Sequence, residues 1–375
     1  MLIPRIYDIG KLLKPQKVLV IYGPRRVGKT TMLQDYLNST QLKYKLDIGD
    51  NIRTQQILGS QDFSQILEYA QGYELIAIDE AQQIPNIGMG LKIIIDQIPN
   101  IKVIATGSSS FDLSHQIGEP LTGRKNTVTL FPISQLELSE IYNKHELRER
   151  LNEFLIFGVY PEVLTAKTKQ EKVSIIEEIV NSYLLKDVLS LEKIKGSKVL
   201  LDLLKLLAFQ LGSEVSLNEL SMKLGIDIKT VARYLDLLEK SFVILSLGGL
   251  SRNLRSEITS KNKYFFLDNG IRNGIIAQFN GLDMRDDGGK LWENFVVVER
   301  LKKRSYKGIY SNQYFWRTYS QQEIDLVEDR DGKLFGYECK WSNKKKVVAP
   351  KDWITSYPQA AFAAVTPKNY LNFIA

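Results

Sequence analysis

Residues 23–31 have the types and the spacing of a phosphate-binding loop. The segment fits the pattern G-x-x-x-x-G-K-[ST], with Thr31 directly after it, and it lies between an apolar run and a helical pattern. Glycines let the backbone wrap around a phosphate, and the amides that open a helix present positive partial charge to it. We expect Lys29 to contact the β- and γ-phosphates of ATP and the Thr30 hydroxyl to bind Mg²⁺. The predicted nucleotide-binding residues are Gly23, Pro24, Arg25, Arg26, Val27, Gly28, Lys29, Thr30 and Thr31.

Two acidic residues follow the apolar run at 75–78 and predict the second half of the same site. Asp79 is placed to hold Mg²⁺ through water, and Glu80 is placed to orient and deprotonate an attacking water. Two carboxylates at the end of a buried strand are costly unless a cation or a water chain lies beside them. Together with the loop, the pair predicts nucleotide hydrolysis.

A serine and an arginine are candidates for further contacts to the nucleotide. Ser108 follows the apolar run at 103–105, where its hydroxyl could sense the γ-phosphate or the attacking water. The alternative is a serine-rich turn that caps the next helix. Arg124 could reach a γ-phosphate as an arginine finger, within its own chain or from a neighbouring subunit. The alternative is a surface arginine, and the sequence leaves both questions open.

Four charged residues in the last third could perform metal-assisted cleavage. Glu293 lies in a predicted helix, Asp325 in the second of three predicted strands, and Glu338 and Lys340 in the third. Residues i and i+2 of a strand share a face, so Glu338 and Lys340 are expected to point the same way. In this interpretation Asp325 and Glu338 share a Mg²⁺, while Glu293 completes the acidic cluster. Lys340 would lower the pKa of a metal-bound water or stabilise a developing phosphorane charge.

Residues 216–240 have the pattern of a helix-turn-helix. A capping box at 216–219 begins the first helix, Gly225 suits the turn, and Asp227 can cap the second helix. The residues expected to face inward are Ile228, Val231, Leu235 and Leu238. Those expected on the outer face are Lys229, Thr230, Arg233 and Tyr234. The functional interpretation is contact with DNA, with a wing starting at residues 242–247. The alternative is an internal packing module.

The pattern of elements predicts an α/β fold with four parts. Continuous apolar runs between helical patterns predict a parallel sheet with right-handed βαβ units, as in a P-loop NTPase, over residues 1–134. A helical region is predicted over 135–209 and a winged helix-turn-helix over 210–260. Residues 261–375 then follow the order αβββαβ.

The composition excludes several classes of function. A single cysteine in 375 residues excludes a disulfide within the chain and a multi-cysteine zinc site, and only two histidines disfavour histidine-based catalysis. No apolar run is long enough to span a membrane, and the N-terminus lacks a signal peptide, so we expect a cytoplasmic protein without a membrane partner. The net charge of +7 favours polyanionic partners. The densest charge run, 344–346, suits a phosphate contact or a solvated loop.

The loop at 23–30, the string Ile-Asp-Glu-Ala-Gln at 78–82 and the turn Thr-Gly-Ser-Ser-Ser at 106–110 resemble prokaryotic ATPases of the AAA superfamily. The segments 121–124 and 130–134 also match. The resemblance covers nearly the whole chain. It implies an ATPase followed by a winged helix and a C-terminal domain of unknown function that resembles PD-(D/E)XK nucleases, although Asp325 lacks the preceding proline. By this resemblance Lys29, Thr30, Asp79 and Glu80 are the ATPase residues.

Two classes of output follow from these patterns. The first is an enzyme that couples ATP hydrolysis to the processing of nucleic acid, DNA in particular, with Mg²⁺-dependent cleavage at Asp325, Glu338 and Lys340. The second is a nucleotide-controlled switch or scaffold that binds nucleic acid or a partner protein and cuts nothing. A homo-oligomer is compatible with either class.

Overall fold

The computed structural model describes residues 3–108, 120–184, 197–250, 261–342 and 347–375. The basic run at 344–346 and the serines at 109 and 110 therefore lie outside the described residues. The chain divides into two compact units. The N-terminal unit comprises Arg5–Pro132 with Lys240–Phe242, and the C-terminal unit comprises the rest of the chain.

The N-terminal unit is built on a five-stranded sheet that is parallel throughout, in the order β2-β3-β4-β1-β5. The strands are β1 (Val18–Tyr22), β2 (Tyr44–Ile48), β3 (Leu75–Asp79), β4 (Lys102–Gly107) and β5 (Lys125–Thr129). The helices are α1 (Ile9–Leu12), α2 (Lys29–Ser39), α3 (Ile52–Leu58), α4 (Phe63–Ala70) and α5 (Ile87–Gln97). This confirms the predicted parallel sheet of an α/β domain.

The three predicted strands of this sheet are its central ones. All residues of β1 and β3 are buried, as expected for strands that are covered on both faces. The sequence interpretation missed both edge strands. In β2, exposed positions alternate with half-buried ones, so the strand lacks the continuous apolar run that marks its neighbours.

The C-terminal unit begins with short helices, and capping boxes start three of them. Ser134, Asn143 and Thr168 each accept a hydrogen bond from a backbone amide three residues on, and the glutamate there bonds back. The elements are α6 (Gln135–Leu138), α7 (Lys144–Glu149), α8 (Leu151–Phe157), α9 (Pro161–Thr165), α10 (Lys169–Glu178), a π-helical turn (Ile179–Leu184) and α11 (Ser197–Phe209). The helical region is thus confirmed.

A pair of helices, α12 (Leu217–Leu224) and α13 (Ile228–Lys240), follows at the predicted place. Gly225 ends α12 in the left-handed conformation with φ of 66°, which a glycine adopts at little cost. Two predicted orientations are wrong. Tyr234 is buried, because it continues the apolar stripe that starts at Val231. Ile228 is 42% exposed, since it stands at the first position of α13.

A seven-stranded mixed sheet completes the C-terminal unit, in the order β12-β11-β10-β9-β7-β8-β6. Its strands are β6 (Glu214–Val215), β7 (Ile244–Gly249), β8 (Asn262–Phe266), β9 (Asn312–Arg317), β10 (Glu323–Arg330), β11 (Lys333–Cys339) and β12 (Ala361–Val365). The helices among them are α14 (Asn269–Ile275), α15 (Gly288–Lys307), α16 (Lys351–Ser356) and α17 (Tyr370–Ile374). The predicted boundary at 260/261 falls between β7 and β8, which pair antiparallel.

From α15 to β12 the element order is αβββαβ, as predicted, whereas β8 and α14 before it and α17 after it were not predicted. Strands β9, β10 and β11 form an antiparallel meander, and β12 adds parallel to β11. Strand β7 pairs in parallel with β9, so the sheet runs on into the helix-turn-helix region. The buried Trp292 of α15 packs between the rings of Trp341 and Tyr370. Among the described residues, no helix is long and apolar enough to cross a membrane.

Candidate functional site

The loop between β1 and α2 has the backbone of a phosphate cradle. Gly23 has φ of 151°, and a Cβ there would lie 2.1 Å from the carbonyl oxygen of Leu130. Gly28 has φ of 93° and stands directly before the first residue of α2. Other residue types would be strained at both positions. The loop therefore needs its glycines, and it leads into the N-terminus of an 11-residue helix.

The side chains of Lys29 and Arg5 donate hydrogen bonds to backbone carbonyls of this loop. Lys29 is 4% exposed, and its Nζ donates to the carbonyl oxygens of Gly23 at 2.9 Å and Pro24 at 2.8 Å. The guanidinium of Arg5 donates to the carbonyl oxygens of Val27 and, at 2.7 Å, of Phe131. The sequence interpretation missed Arg5, because it lies far ahead of the loop in the chain.

Thr30 and Asp79 meet, as the magnesium prediction requires. Thr30 Oγ1 donates to Asp79 Oδ2 at 2.7 Å. Thr106 Oγ1 donates to the other oxygen of the same carboxylate and accepts from the amide of Glu80 at 3.2 Å. Thr106, at the end of β4, was missed by the sequence interpretation. The pairing of β4 with β3 explains the contact, because the last residues of both strands reach the same end of the sheet.

Glu80 and Ser108 are linked through Gln82. The amide Nε2 of Gln82 donates to the carboxylate of Glu80 and, at 3.1 Å, to Ser108 Oγ. Glu80 has φ of 51°, which turns the chain directly after β3. The backbone carbonyl of Glu80 lies against Gly49, where a Cβ would come within 2.2 Å of it. The polar ends of β3 and β4 therefore form one connected group beside the loop.

Arg124 lies at the end of the strands opposite to the phosphate loop. Its carbonyl accepts from the amide of Val18, the first residue of β1, whereas the phosphate loop follows the last residue of β1. A five-residue strand spans about 16 Å. Its side chain pairs with Asp96, with 2.8 Å between Nε and Oδ1. The prediction of a finger acting within its own chain is therefore wrong, and only the version from a neighbouring subunit stays a prediction.

The donor set of the loop fits a magnesium–nucleotide complex. A hydroxyl and a carboxylate at hydrogen-bond distance are the oxygen ligands that Mg²⁺ prefers, either directly or through water. Lys29 Nζ already lies over the loop carbonyls, and the loop amides open α2. Phosphate oxygens could replace these carbonyls as partners of the ammonium. The three elements predicted to form the site thus converge on one edge of the sheet.

The C-terminal carboxylates also converge, but around a lysine. Lys263 of β8 is 1% exposed, and its Nζ lies 3.3 Å from Glu293 Oε1 and 4.0 Å from Asp325 Oδ1. It also pairs with Glu323. Asp325 Oδ2 accepts from the backbone amide of Cys339 at 2.7 Å. The sequence interpretation missed Lys263, which directly precedes the apolar residues 264–267.

Glu338 and Lys340 lie together beside this cluster. Lys340 Nζ pairs with Glu338 Oε1 at 2.5 Å, as expected for residues on one face. The backbone amide of Lys340 donates to Val365 of β12 at 2.9 Å, so it follows the neighbouring strand although β11 ends at Cys339. Lys340 is 46% exposed, whereas the side chain of Glu338 is largely buried.

The electrostatics of the cluster follow from burial. Burial raises the pKa of Glu293 to about 8, and the nearby Asp325 adds to the rise. Burial also raises the pKa of Asp325, with Lys263 opposing the shift, and the pKa of Glu338, with Asp325 reinforcing it. Burial alone would lower the pKa of Lys263, but the surrounding carboxylates outweigh it and raise that pKa.

This donor set does not fit the predicted shared Mg²⁺. Mg²⁺ needs near-octahedral oxygen ligands at about 2.0–2.1 Å. Here an ammonium lies among the carboxylates of Glu293 and Asp325, and Glu338 is engaged by Lys340. Within the described part of the chain, no group of three or more acidic, histidine or cysteine side chains is arranged to hold a metal ion. This arrangement does not favour Asp325 and Glu338 as shared metal ligands, and their assignment stays a prediction.

Helix α13 presents a small basic surface. Lys229 and Arg233 are both exposed and stand one helical turn apart, while Asp236 is exposed on the following turn. The guanidinium of Arg233 lies 5.7 Å from the ring centre of Tyr234. The hairpin of β7 and β8 follows this helix, and β6 pairs with β8.

Comparison with protein families covers most of the chain. Residues 15–139 match the family described as an AAA domain. Residues 148–282 and 288–368 match two families that are each described as a domain of unknown function, DUF8612 and DUF4143. The chain therefore carries an AAA domain, which is P-loop ATPase-like and suggests ATP binding, and a C-terminal DUF4143 domain.

Similar proteins occur in an archaeon and in bacteria. An uncharacterized protein of Methanocaldococcus jannaschii is 25% identical, covering 91% of this chain and 79% of its own length. One from Mycobacterium tuberculosis is 25% identical, covering 86% of this chain and 70% of its own. One from Haemophilus influenzae is 26% identical, covering 76% and 74%. The similarity thus extends across both units.

Proposed function

We propose that the protein binds ATP with Mg²⁺ in its N-terminal unit, hydrolyses it, and uses this cycle to control nucleic-acid binding by the helix-turn-helix. The hydrogen bond between Thr30 and Asp79, made beside the buried Lys29, is the observation that carries the proposal. The AAA match over residues 15–139 supports the nucleotide half.

Each loop residue has a role that its contacts permit. The amides that open α2 and the Lys29 ammonium bind the phosphates, and the carbonyls of Gly23 and Pro24 keep the ammonium in place beforehand. Thr30 and Asp79 hold the cation, with Thr106 fixing the carboxylate. Mg²⁺, when bound, supplies charge neutralisation between the β- and γ-phosphates.

Glu80 is the proposed base for the attacking water. Its carboxylate is oriented by Gln82, which is itself tied to Ser108. A base held in one orientation next to the cation site accepts a proton from water as the γ-phosphate is attacked. Ser108 then acts as a positioning residue: a contact of its hydroxyl with the γ-phosphate would change the orientation of Gln82 and, through it, of Glu80.

The nucleic-acid half rests on the surface of α13. Two exposed basic residues one turn apart, followed by a β-hairpin, form the arrangement that a winged helix uses in the major groove of DNA. The net charge of +7 adds a general attraction to polyanions. The acidic Asp236 limits this face to a few phosphate contacts.

Three further features belong to the same proposal. The protein works in the cytoplasm, where it self-associates or binds a partner protein. Self-association would bring Arg124 of one chain to the nucleotide site of a second copy. The C-terminal αβββαβ part resembles a nuclease scaffold in its element order. Lys263 within its carboxylates favours the class of output that binds without cutting.

The nucleotide half is tested by isothermal calorimetry with ATP and Mg²⁺. Lys29→Ala should weaken ATP binding by roughly tenfold to a hundredfold, because a hydrogen bond to a charged group contributes about 1.5–3 kcal/mol. Lys14→Ala removes an exposed lysine of the same unit and should leave the affinity unchanged. Absence of ATP binding by the folded wild-type protein would refute the proposal.

The nucleic-acid half is tested by the salt dependence of duplex DNA binding. Replacing Lys229 and Arg233 together by alanine should lower the salt slope by about 2, since each phosphate contact contributes about 0.9. The double variant Lys167→Ala with Lys169→Ala makes the same charge change on exposed positions of the C-terminal unit. Equal slopes for both double variants would remove α13 from the interface.

A further inference from the structure

Lys263 is enclosed by groups from three elements. It lies on β8, where it pairs with Leu247 of β7 and with Glu214 of β6. Its side chain is 1% exposed and reaches toward α15 and β10, which carry its carboxylate partners. Its Nζ also lies 5.4 Å from the ring centre of Phe315. A lysine this deeply buried requires charge partners, because an isolated ammonium in the interior is strongly destabilising.

Two partners of Lys263 belong to the predicted acidic cluster: Asp325, a predicted cation ligand, and Glu293, predicted to complete the cluster. Glu293 and Asp325 approach the same Nζ from a helix and from a strand, and Glu323 completes the ion pairs. Without a positive charge between them, these carboxylates would repel one another in a buried site. The ammonium therefore supplies the attraction that would otherwise come from a bound cation.

We infer that Lys263 takes the place of a divalent cation in this cluster, so that the C-terminal unit holds its carboxylates together without metal. A divalent cation that used both Glu293 and Asp325 would have to share their oxygens with an ammonium of like charge. We therefore expect no metal-dependent cleavage that uses Glu293 and Asp325 together as ligands. This inference stands independently of the nucleotide site.

The ion pairs also join the two halves of the seven-stranded sheet. Arg317 of β9 lies 3.4 Å from Glu214 of β6 and 3.9 Å from Glu323 of β10, measured between side-chain nitrogen and oxygen atoms. Lys263 links Glu323 onward to α15. The network thus connects strands that flank the helix-turn-helix to the αβββαβ part. Because Lys263 is part of the chain, its ion pairs between β10 and α15 do not depend on the concentration of a metal ion.

The inference is tested by counting bound Mn²⁺ in the full-length protein without nucleotide, from the electron paramagnetic resonance signal of free Mn²⁺. An Asp79→Asn background removes the acid of the N-terminal site. In this background the native cluster should bind no Mn²⁺ that depends on Glu293. Adding Lys263→Met should create a site for about one Mn²⁺, which Glu293→Gln then abolishes. Lys340→Met, the matched control, should create none.

Two results would overturn the inference. The first is Mn²⁺ bound by the native cluster and lost in Asp325→Asn. The second is a folded Lys263→Met variant that gains no site. If Lys263→Met does not fold, the native cluster is tested instead by the change in unfolding temperature that Mn²⁺ causes. This change should be the same with Asp325 intact and in Asp325→Asn. ATP binding by the same chain with Asp79 intact is measured separately, so failure of the nucleotide proposal is distinguishable.

Discussion

Lys29, in the phosphate loop, and Lys263, in the C-terminal carboxylate cluster, are both buried, and they differ in the partners that hold them. Lys29 Nζ donates to backbone carbonyls of its own loop, whereas Lys263 Nζ pairs with carboxylates from other elements. A carbonyl dipole solvates an ammonium without cancelling its charge, but a carboxylate cancels it. Lys29 can therefore exchange its partners for phosphate oxygens, while Lys263 acts as an internal counter-ion.

The acids of the two sites repeat the contrast. Asp79 is held by the hydroxyls of Thr30 and Thr106, which orient the carboxylate without neutralising it. Asp325 lies beside an ammonium and accepts a backbone amide. Similar residue types therefore make a ligand site in one unit and a closed ion cluster in the other. A carboxylate held by hydroxyls stays available to a ligand, whereas a carboxylate beside an ammonium becomes part of an ion cluster.

The largest expected effect tests whether the N-terminal site performs chemistry. Glu80→Gln should reduce ATP hydrolysis by about 10² to 10⁴-fold, because removing a positioned base costs an amount of this order. ATP binding should remain, since the phosphates contact the loop and not Glu80. Steady-state phosphate release and calorimetry measure the two quantities on the same preparation.

Glu68→Gln provides the control for that variant, because Glu68 is an exposed glutamate of α4 in the same unit. It should hydrolyse ATP at the wild-type rate. Undiminished turnover in Glu80→Gln would assign the base to another residue and would end the interpretation of Gln82 as its orienting partner.

The next effect compares lysines within the C-terminal unit. Lys263→Met should lower the free energy of unfolding by about 3–5 kcal/mol, since it leaves buried carboxylates without their cation. Lys340→Met should cost less than about 1 kcal/mol, because Lys340 is 46% exposed and its pair with Glu338 is screened by water. Urea denaturation measures both. Equal losses would mean that Lys263 is not the counter-ion of the cluster.

The sequence predicted the N-terminal site well because its signals are local. Residues 23–31 are contiguous, and Asp79 ends a strand whose apolar run is unmistakable. Thr106 and Arg5 were missed because their roles depend on which strand lies beside which and on how the chain enters the unit. No spacing along the sequence encodes those contacts.

Four charged residues of the C-terminal region were predicted, but the arrangement of carboxylates around a buried lysine was not. Strand alternation brought Glu338 and Lys340 together, and the predicted order αβββαβ holds from α15 to β12, although β8, α14 and α17 were not predicted. The decisive residue, Lys263, lies 30 positions before Glu293, in the same predicted part of the chain but ahead of the first helix predicted there. Only the pairing of β8 with β7, and of β7 with β9, brings it to the acids.

The smallest expected effect concerns Arg124, whose substitution distinguishes an arginine that acts within its own chain from one that acts on a neighbouring chain. Because Arg124 stands at the end of the strands opposite to the phosphate loop, Arg124→Ala should change ATP hydrolysis less than about twofold in dilute protein. A finger from a neighbouring subunit would instead make wild-type turnover per chain rise with protein concentration, and Arg124→Ala would abolish that rise. Measuring turnover across a dilution series, with Asp96→Ala as the variant that removes only its ion-pair partner, distinguishes the two. A twofold or larger loss in Arg124→Ala at the lowest concentration would contradict the geometry of the sheet, because no second chain is then present to receive the guanidinium.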